Sequence, residues 1–333
     1  MKSSVQLLAV ILLLFTSRVF TCCDPTDNQD DPETESQWQA LGDFGFHEFI
    51  KSIASDENGN IIVAGDFINS NGEYFVGRWE KSINTWSELG SGSSLYNHGV
   101  RHPMATDPSG NIYAQGMNGS AGTNPNHHVI TWSETSETWT ELGGAKQPLF
   151  NNGIFAIVTD QHGNVYASGD SIGGWNKPFI AMWHKSTNSW KKLGYFTGFV
   201  YCMAVDNTGA VYATGTIEKG QPGSYISKWD GNTWSIIGGS GSNLGGEIKT
   251  IAVDNAGNVY AGGSFFNNGS FYNMVKWNKS TWEYMKIMML LLPMHPDMFM
   301  RLAISLIVRA TFLLPGGMDR NGLIWDHSTL MRQ

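Results

Sequence analysis

The chain has 333 residues, of which 41% are hydrophobic, 12% are aromatic and only 15% are charged. This composition excludes an intrinsically disordered chain, and the 39 Gly residues, which follow no three-residue period, exclude collagen. Lys and Arg total 21 against 29 Asp and Glu, so the net charge is −8 and no basic cluster exists to attract nucleic acid.

The first 23 residues have the order of an export signal peptide. Lys2 supplies a positive charge, an apolar run extends from Val5 to Phe15, and small or polar residues follow. The run is too short to span a bilayer. Residues 19–22 are similar to a bacterial lipobox, although Thr21 occupies a position that the motif gives to Gly, Ala or Ser. Lipidation of Cys22 and simple secretion after nearby cleavage both stay open, and a membrane contact is expected only through this N-terminal lipid anchor.

Residues 24–36 are predicted to form an acidic, disordered linker, because six acidic residues and two prolines occur there without a basic residue. Cys22 and Cys23 precede the linker, which leaves Cys202 as the single cysteine of the folded part. We therefore expect no internal disulfide, and stability must come from packing.

Residues 37–284 contain a repeat with a period near 50. The motif Asp-x-x-Gly-(Asn/Ala) begins five times, with steps of 51, 53, 46 and 48 residues, at Asp56, Asp107, Asp160, Asp206 and Asp254. Each copy continues into a short β-type run such as Val259-Tyr260-Ala261. Paired tryptophans follow in every copy: Trp79 and Trp86, Trp132 and Trp139, Trp183 and Trp190, Trp229 and Trp234, Trp277 and Trp282. Such regularity is typical of a repeat architecture.

The fifth copy predicts four short antiparallel strands. Residues 248–253 alternate as a strand, Asp254 to Gly257 form a tight turn, and residues 258–265 form a second strand. A polar loop, a third strand at 272–277 and a fourth beginning at Thr281 follow. Since radial repetition protects the edges of such sheets, the prediction is an all-β protein: a β-propeller with five in-frame blades and an incomplete ring.

Residues 251–263 resemble the seven-bladed β-propeller repeat family of bacterial surface proteins, and residues 228–235 are similar to kelch-like propellers of secreted proteins. The resemblance covers about 37–284. It implies a propeller fold, but no particular ligand, because the family is defined by scaffold residues. The chain departs from the family pattern at Gly116 to Gly119 and at an insertion around Trp175, and we expect function to differ there.

No catalytic residue, metal ligand or cofactor is predicted. The five repeat Asp residues are interpreted as turn residues rather than as calcium ligands, which must converge in numbers of six to eight. Asp66 and Asp170 are expected at strand ends rather than as an acid and base pair. His127 and His128 are predicted to lie in an exposed loop without a nearby carboxylate.

Ten of the thirteen tryptophans are the repeat pairs and are predicted to pack between sheets. Trp175 lies outside the repeat. Together with Tyr96, His127 and His128 it forms the predicted ligand-facing set; ordinary exposed loop side chains are the alternative interpretation. The expected partner is a surface glycan or a surface protein.

These features favour an exported β-propeller without catalytic activity, acting as a binding or adhesion module. It would be secreted or held at the cell surface as an outer-membrane lipoprotein. A secreted propeller hydrolase or lyase acting on polysaccharide is one alternative, and an inactive structural fragment of a larger secreted protein is another.

The composition changes abruptly in residues 285–333, which hold eight of the fourteen Met but three of the 39 Gly. Charged residues and prolines leave no uncharged run long enough for a membrane helix. Read one base out of frame, the segment permits Val-Tyr-Ala and two tryptophans at the spacings of Val259, Trp277 and Trp282. We predict an irregular tail that encodes a sixth repeat out of frame, and a closing strand at Trp38 to Gly42 that lacks its intended partner.

Resequencing the gene around codons 283–287 tests the predicted frame change. We expect one base to be inserted or missing there. An unbroken frame that encodes residues 285–333 as written, together with a protease-resistant tail in the purified protein, would show the prediction to be wrong.

Overall fold

The computed structural model describes residues 41, 50–90, 101–118, 126–144, 150, 153–170, 178–215, 224–239 and 242–285. These residues form twenty strands in five four-stranded antiparallel sheets. Throughout those ranges there is no helix with the length and hydropathy needed to cross a membrane. The predicted signal peptide, acidic linker and tail from residue 286 lie outside the described residues.

Each sheet is one blade, and its strands pair in chain order. Blade 1 contains β1 (Ile50–Ser55), β2 (Ile61–Gly65), β3 (Val76–Glu80) and β4 (Thr85–Leu89). Blade 2 contains β5 (Arg101–Thr106), β6 (Ile112–Asn118), β7 (Asn126–Ser133) and β8 (Thr138–Glu141). Blade 3 contains β9 (Ile154–Thr159), β10 (Val165–Asp170), β11 (Pro178–His184) and β12 (Ser189–Tyr195). Blade 4 contains β13 (Met203–Val205), β14 (Val211–Thr214), β15 (Ile226–Trp229) and β16 (Trp234–Ile236). Blade 5 contains β17 (Gly246–Val253), β18 (Val259–Asn267), β19 (Ser270–Trp277) and β20 (Trp282–Met285).

The turn between the first two strands of a blade is closed by the repeat aspartate. In blade 3, Asp160 Oδ1 accepts the main-chain N–H groups of His162 and Asn164, both at 2.9 Å. Its Oδ2 accepts the Asn164 amide at 2.8 Å and the Tyr166 hydroxyl at 3.2 Å. Burial, followed by the nearby Asp160 charge, raises the pKa of Tyr166. The carboxylate is thus occupied by its own hairpin, which confirms the interpretation of these residues as turn formers.

The blades are arranged around their first strands. β1, β5, β9, β13 and β17 contact one another in series, which makes the first strand the innermost strand of each blade. Thr106 Oγ1 donates to the Ser55 carbonyl at 2.8 Å, and Thr159 Oγ1 donates to the Thr106 carbonyl at 2.7 Å. Equivalent ends of neighbouring blades therefore lie side by side. This architecture confirms the predicted all-β propeller with five in-frame blades.

This arrangement gives the blades two distinct ends. The end where first strands begin and fourth strands finish is called the linker end. The opposite end, with the aspartate turns and the turns between third and fourth strands, is called the turn end.

In blades 1 to 4, the second tryptophan of each pair bonds to the preceding segment, whereas Trp282 Nε1 in blade 5 has no hydrogen-bond partner among the described residues. The indole N–H donates to the carbonyl of a leucine at or near the end of the preceding fourth-strand segment. The four observed bonds are Trp86 to Leu41 at 2.7 Å, Trp139 to Leu89 at 3.1 Å, Trp190 to Leu142 at 2.9 Å and Trp234 to Leu193 at 3.2 Å. The repeat tryptophans therefore pack between sheets, as predicted.

Leu41 extends this pattern beyond blade 1. It packs against Ile61, Val63 and Trp79 and accepts the Trp86 bond, just as Leu89 accepts the bond from Trp139. Leu41 thus has the position of the last residue in the fourth strand of a preceding blade. At the other end of the propeller, β20 continues through Met285, one residue beyond the expected boundary, and Met285 pairs with Met274.

Blade 5 departs from the expected strand pattern at the linker end. The sequence predicted a polar loop after Phe265, but β18 and β19 continue to a two-residue turn. Asn268 and Gly269 have φ values of 48° and 76°, as the hairpin turn favoured by Asn-Gly requires. Phe266 and Phe271 pair across this extended hairpin.

Replacing Trp139 by Phe should destabilise the protein by about 1 kcal/mol more than replacing Trp132 by Phe, because only the first change removes a hydrogen bond, the one from Trp139 Nε1 to the Leu89 carbonyl. The two side chains are 6% and 5% exposed, and Trp132 Nε1 makes no hydrogen bond within the described ranges. Urea unfolding of both variants measures the difference. Equal losses of unfolding free energy would contradict a stabilising role for the indole bond.

Candidate functional site

The two ends of the blades differ in the side chains that they expose. Among the described residues, the exposed Phe and Tyr side chains all lie at the linker end: Tyr195, Phe199, Tyr201, Phe266 and Phe271. The turn end presents the aspartate turns and polar turns such as Lys185-Ser186, with Ile83 as an exposed apolar side chain. Exposed aromatic surface concentrated at one end marks that end as the candidate binding face.

Three aromatic rings meet where the first strands of blades 3 and 4 begin. The Phe155 ring lies 5.1 Å from Phe199 and 5.4 Å from Tyr201, measured between ring centroids. The Phe199 and Tyr201 centroids are 5.7 Å apart. We call these three residues the aromatic cluster. Phe199 is 38% exposed and Tyr201 is 55% exposed, so much of both rings faces solvent.

Buried polar side chains of the second strands hold the main chain beside this cluster. Ser168 Oγ donates to the carbonyl of Val200, which lies between Phe199 and Tyr201, at 2.7 Å. The residue after Tyr201 is held as well, because the Cys202 N–H donates to Thr214 Oγ1 at 3.4 Å. The side chains alternate along this segment. Val200 and Cys202 are buried, whereas Phe199 and Tyr201 are exposed.

Gln115 holds the third member of the cluster from blade 2. The main-chain N–H of Ile154, the neighbour of Phe155, donates to Gln115 Oε1 at 3.0 Å. Gln115 Nε2 lies 2.9 Å from His127 Nδ1. Since the amide oxygen already accepts a bond, the amide nitrogen is the donor, and His127 Nδ1 is the acceptor.

Gln115, Ser168 and Thr214 occupy the same position of the repeat, the fourth residue from the start of the second strand. The corresponding residues in blades 1 and 5 are Ala64 and Gly262, which offer no side-chain hydrogen bond. We call the three residues the latch residues. They were missed in the sequence analysis. The available signal was that a polar residue directly follows the Val-Tyr-Ala-type run in three of the aligned repeats, at a position expected to be buried.

The predicted loop position of His127 and His128 is wrong. Both lie in β7, and His127 is 8% exposed with its N–H donating to the Phe150 carbonyl at 3.3 Å. The strand begins earlier than the polar sequence suggested because β6 pairs with it as far as Asn126. His128 also has a nearby carboxylate, since its Nε2 lies 3.6 Å from Glu141 Oε1. His127 therefore contacts Gln115 from inside the blade.

The other predicted site residues, Tyr96, Trp175 and the lipidation candidate Cys22, lie outside the described residues. Asp66 pairs with Lys51 just after β2, and Asp170 is a buried residue that ends β10, so both lie at strand ends as expected. In the described ranges, no three His, Cys, Asp or Glu side chains gather as metal ligands would.

No protein-family model matches the chain, and no curated protein matches it. Among solved structures, the chain is similar to TolB from Acinetobacter baumannii, with 11% identity and a TM-score of 0.47 over 69% of this chain and 51% of TolB. It is also similar to a gluconolactonase from Xanthomonas campestris, with 13% identity and a TM-score of 0.43 over 67% of this chain and 74% of the other. The chain thus spans about half the length of TolB. The fold assignment rests on the strand pairing and the blade contacts described above.

The protein should lose stability as the pH falls below the ordinary histidine pKa of about 6.5. Burial lowers the pKa of His128, and the opposing effect of Glu141 is smaller. In this pH range His128 is therefore protonated more readily in the unfolded chain than in the native protein. Acidification thus favours the unfolded state, and the free energy of unfolding decreases. Unfolding curves between pH 5 and pH 8 should show a weaker decrease for His128→Gln.

His162→Gln is the matched control, because His162 is exposed in the Asp160 turn. It should leave the pH dependence as in the wild type. Identical pH profiles for the wild type and His128→Gln would contradict the assignment of this pH dependence to His128.

Proposed function

We propose that the protein is an exported binding module without catalytic activity, which recognises a surface glycan or a surface protein through its linker end. The observation that carries the proposal is the concentration of exposed aromatic side chains at that end. Aromatic side chains supply large contact areas with few rotatable bonds and dominate the energetics of many interfaces. A rigid scaffold with recognition at one end is a common arrangement for binding proteins.

The chemistry of the described carboxylates supports a binding role over hydrolysis. A polysaccharide hydrolase needs two carboxyl groups at a set separation across the sugar bond. Asp66 pairs with Lys51, Asp170 is buried at a strand end, and the repeat aspartates are occupied by their own turns. These engagements suit structural roles.

Export is proposed from the N-terminal sequence. The signal-like segment and the acidic linker support secretion or attachment to the cell surface, with lipidation at Cys22 as the proposed mode of attachment. The similarity of residues 228–235 to kelch-like repeats supports a place among secreted propellers.

A glycan array and a pull-down from cell-envelope extract test the proposed function, using the mature chain as bait. We expect a ligand above background in at least one of them. Phe271→Ser combined with Tyr201→Ser should weaken its capture at least tenfold, whereas Ile83→Ser at the turn end should not. Absence of a ligand in both assays, or a ligand insensitive to the linker-end changes, would overturn the proposal.

A further inference from the structure

We infer that the aromatic cluster of Phe155, Phe199 and Tyr201 is a stacking site for a pyranose ring of a glycan. This inference rests on the proposed function and names its ligand class and its residues.

The first support is the shape of the cluster. The rings are inclined to one another by 74° for Phe155 and Phe199, 61° for Phe155 and Tyr201, and 45° for Phe199 and Tyr201. The rings thus meet edge to face or tilted and do not close into a flat stack. The exposures of Phe199 and Tyr201 show that solvent reaches these rings although each already contacts two others.

The second support is the preorganisation of the cluster. Each latch residue bonds to main chain next to a cluster residue: Gln115 beside Phe155, Ser168 between Phe199 and Tyr201, and Thr214 beside Tyr201. Cys202 adds a bond from its Sγ to the Lys249 carbonyl at 2.8 Å, which ties this segment to blade 5. Groups fixed before binding lose less conformational entropy when a ligand is bound.

The distribution of the latch residues agrees with this role. They occur in blades 2, 3 and 4, whose strands surround the cluster, while Ala64 and Gly262 take the same position in blades 1 and 5. All three latch side chains are buried, with exposures of 5%, 0% and 7% for Gln115, Ser168 and Thr214. Burying a polar group is costly unless it makes hydrogen bonds, so these polar residues serve the segment that they hold.

The third support is the size and chemistry of the exposed surface, which favour a sugar over a protein partner. An aromatic side chain offers about 150–250 Å² of surface, so the exposed parts of Phe199 and Tyr201 together present on the order of 200 Å². A standard protein interface needs roughly 800 Å² on each partner and mixes aliphatic side chains and Arg with aromatics. The exposed rings of Phe199 and Tyr201 match the C–H face of a single sugar ring, whose hydroxyl groups remain hydrated.

The test uses the mature chain with defined probes: the methyl glycosides of glucose, mannose and galactose, and N-acetylglucosamine. Saturation-transfer NMR on the wild type should show transfer from aromatic resonances to the ring C–H protons of at least one probe. Phe199→Ala and Tyr201→Ala should each weaken its binding at least tenfold. Ile83→Ala is the control, because Ile83 is 62% exposed but lies at the turn end.

The outcomes separate this inference from the proposed function. Sugar binding that survives both cluster variants, or that Ile83→Ala abolishes equally, would overturn the inference and leave the proposed function intact. Capture of a protein partner without binding of any sugar probe would do the same, as would binding of phosphatidylcholine vesicles through the cluster in place of sugar. No binding in any assay would overturn both. Circular dichroism and thermal unfolding verify that each variant is folded, and the wild-type NMR result needs no variant.

Discussion

The packing of blades 1 to 4 depends on the hydrogen bond that the second tryptophan of each donates to a leucine carbonyl of the preceding segment. Blade 5 lacks it, because Trp282 Nε1 has no hydrogen-bond partner among the described residues. The bond satisfies an indole N–H and a main-chain carbonyl at once, and it places the indole ring over the glycine that follows the leucine. A Cβ atom at Gly90 would lie 2.7 Å from the rings of Trp132 and Trp139, and one at Gly143 would lie 2.9 Å from the Trp190 ring. Both glycines also have positive φ values, of 60° and 86°. The Leu-Gly end of the recurring Trp-x-x-Leu-Gly pattern therefore contacts a tryptophan of the next blade. The leucine carbonyl accepts the indole hydrogen bond, and the glycine leaves space for the indole ring.

The parts of the fold that the sequence predicted well are those that depend on local contacts. The aspartate turns close through bonds between residues two to six positions apart, so each copy of the motif carries its own structure. The latch residues were missed for the opposite reason, since Gln115 bonds to a main-chain group 39 residues away and Ser168 to one 32 residues away. His127 was misplaced because its environment is set by pairing with β6, which the polar character of its neighbours concealed.

The aromatic cluster escaped notice for a related reason. Phe155, Phe199 and Tyr201 come from two copies of the repeat, and only the packing of blade 3 against blade 4 brings them together. The principle applied to Trp175, that an aromatic residue outside the repeat pattern is a candidate for function, would have selected Phe199 and Tyr201 as well. Residues of the scaffold and residues of the candidate site thus differ in how they recur along this chain. Residues that recur in every blade hold the blades together, whereas residues that occur in some blades only, such as the latch residues, distinguish the linker end.

Blades 1 and 5 show which contacts a blade makes with its neighbours. Tyr113, Tyr166 and Tyr212 each belong to a core cluster that includes residues of the following blade. Tyr260 has the same position in blade 5, and within the described part of the chain its cluster contains only residues of blade 5: Met274, Ala252 and Met285. Tyr260 is 6% exposed; its hydroxyl donates to Asp254 Oδ2 at 3.1 Å, and Lys276 Nζ lies 5.5 Å from its ring centroid. At the opposite side of the propeller, Leu41 already takes the place of a preceding fourth strand beside blade 1. The same inter-blade packing therefore extends from Leu41, on one side of blade 1, to the cluster that Tyr212 shares with blade 5.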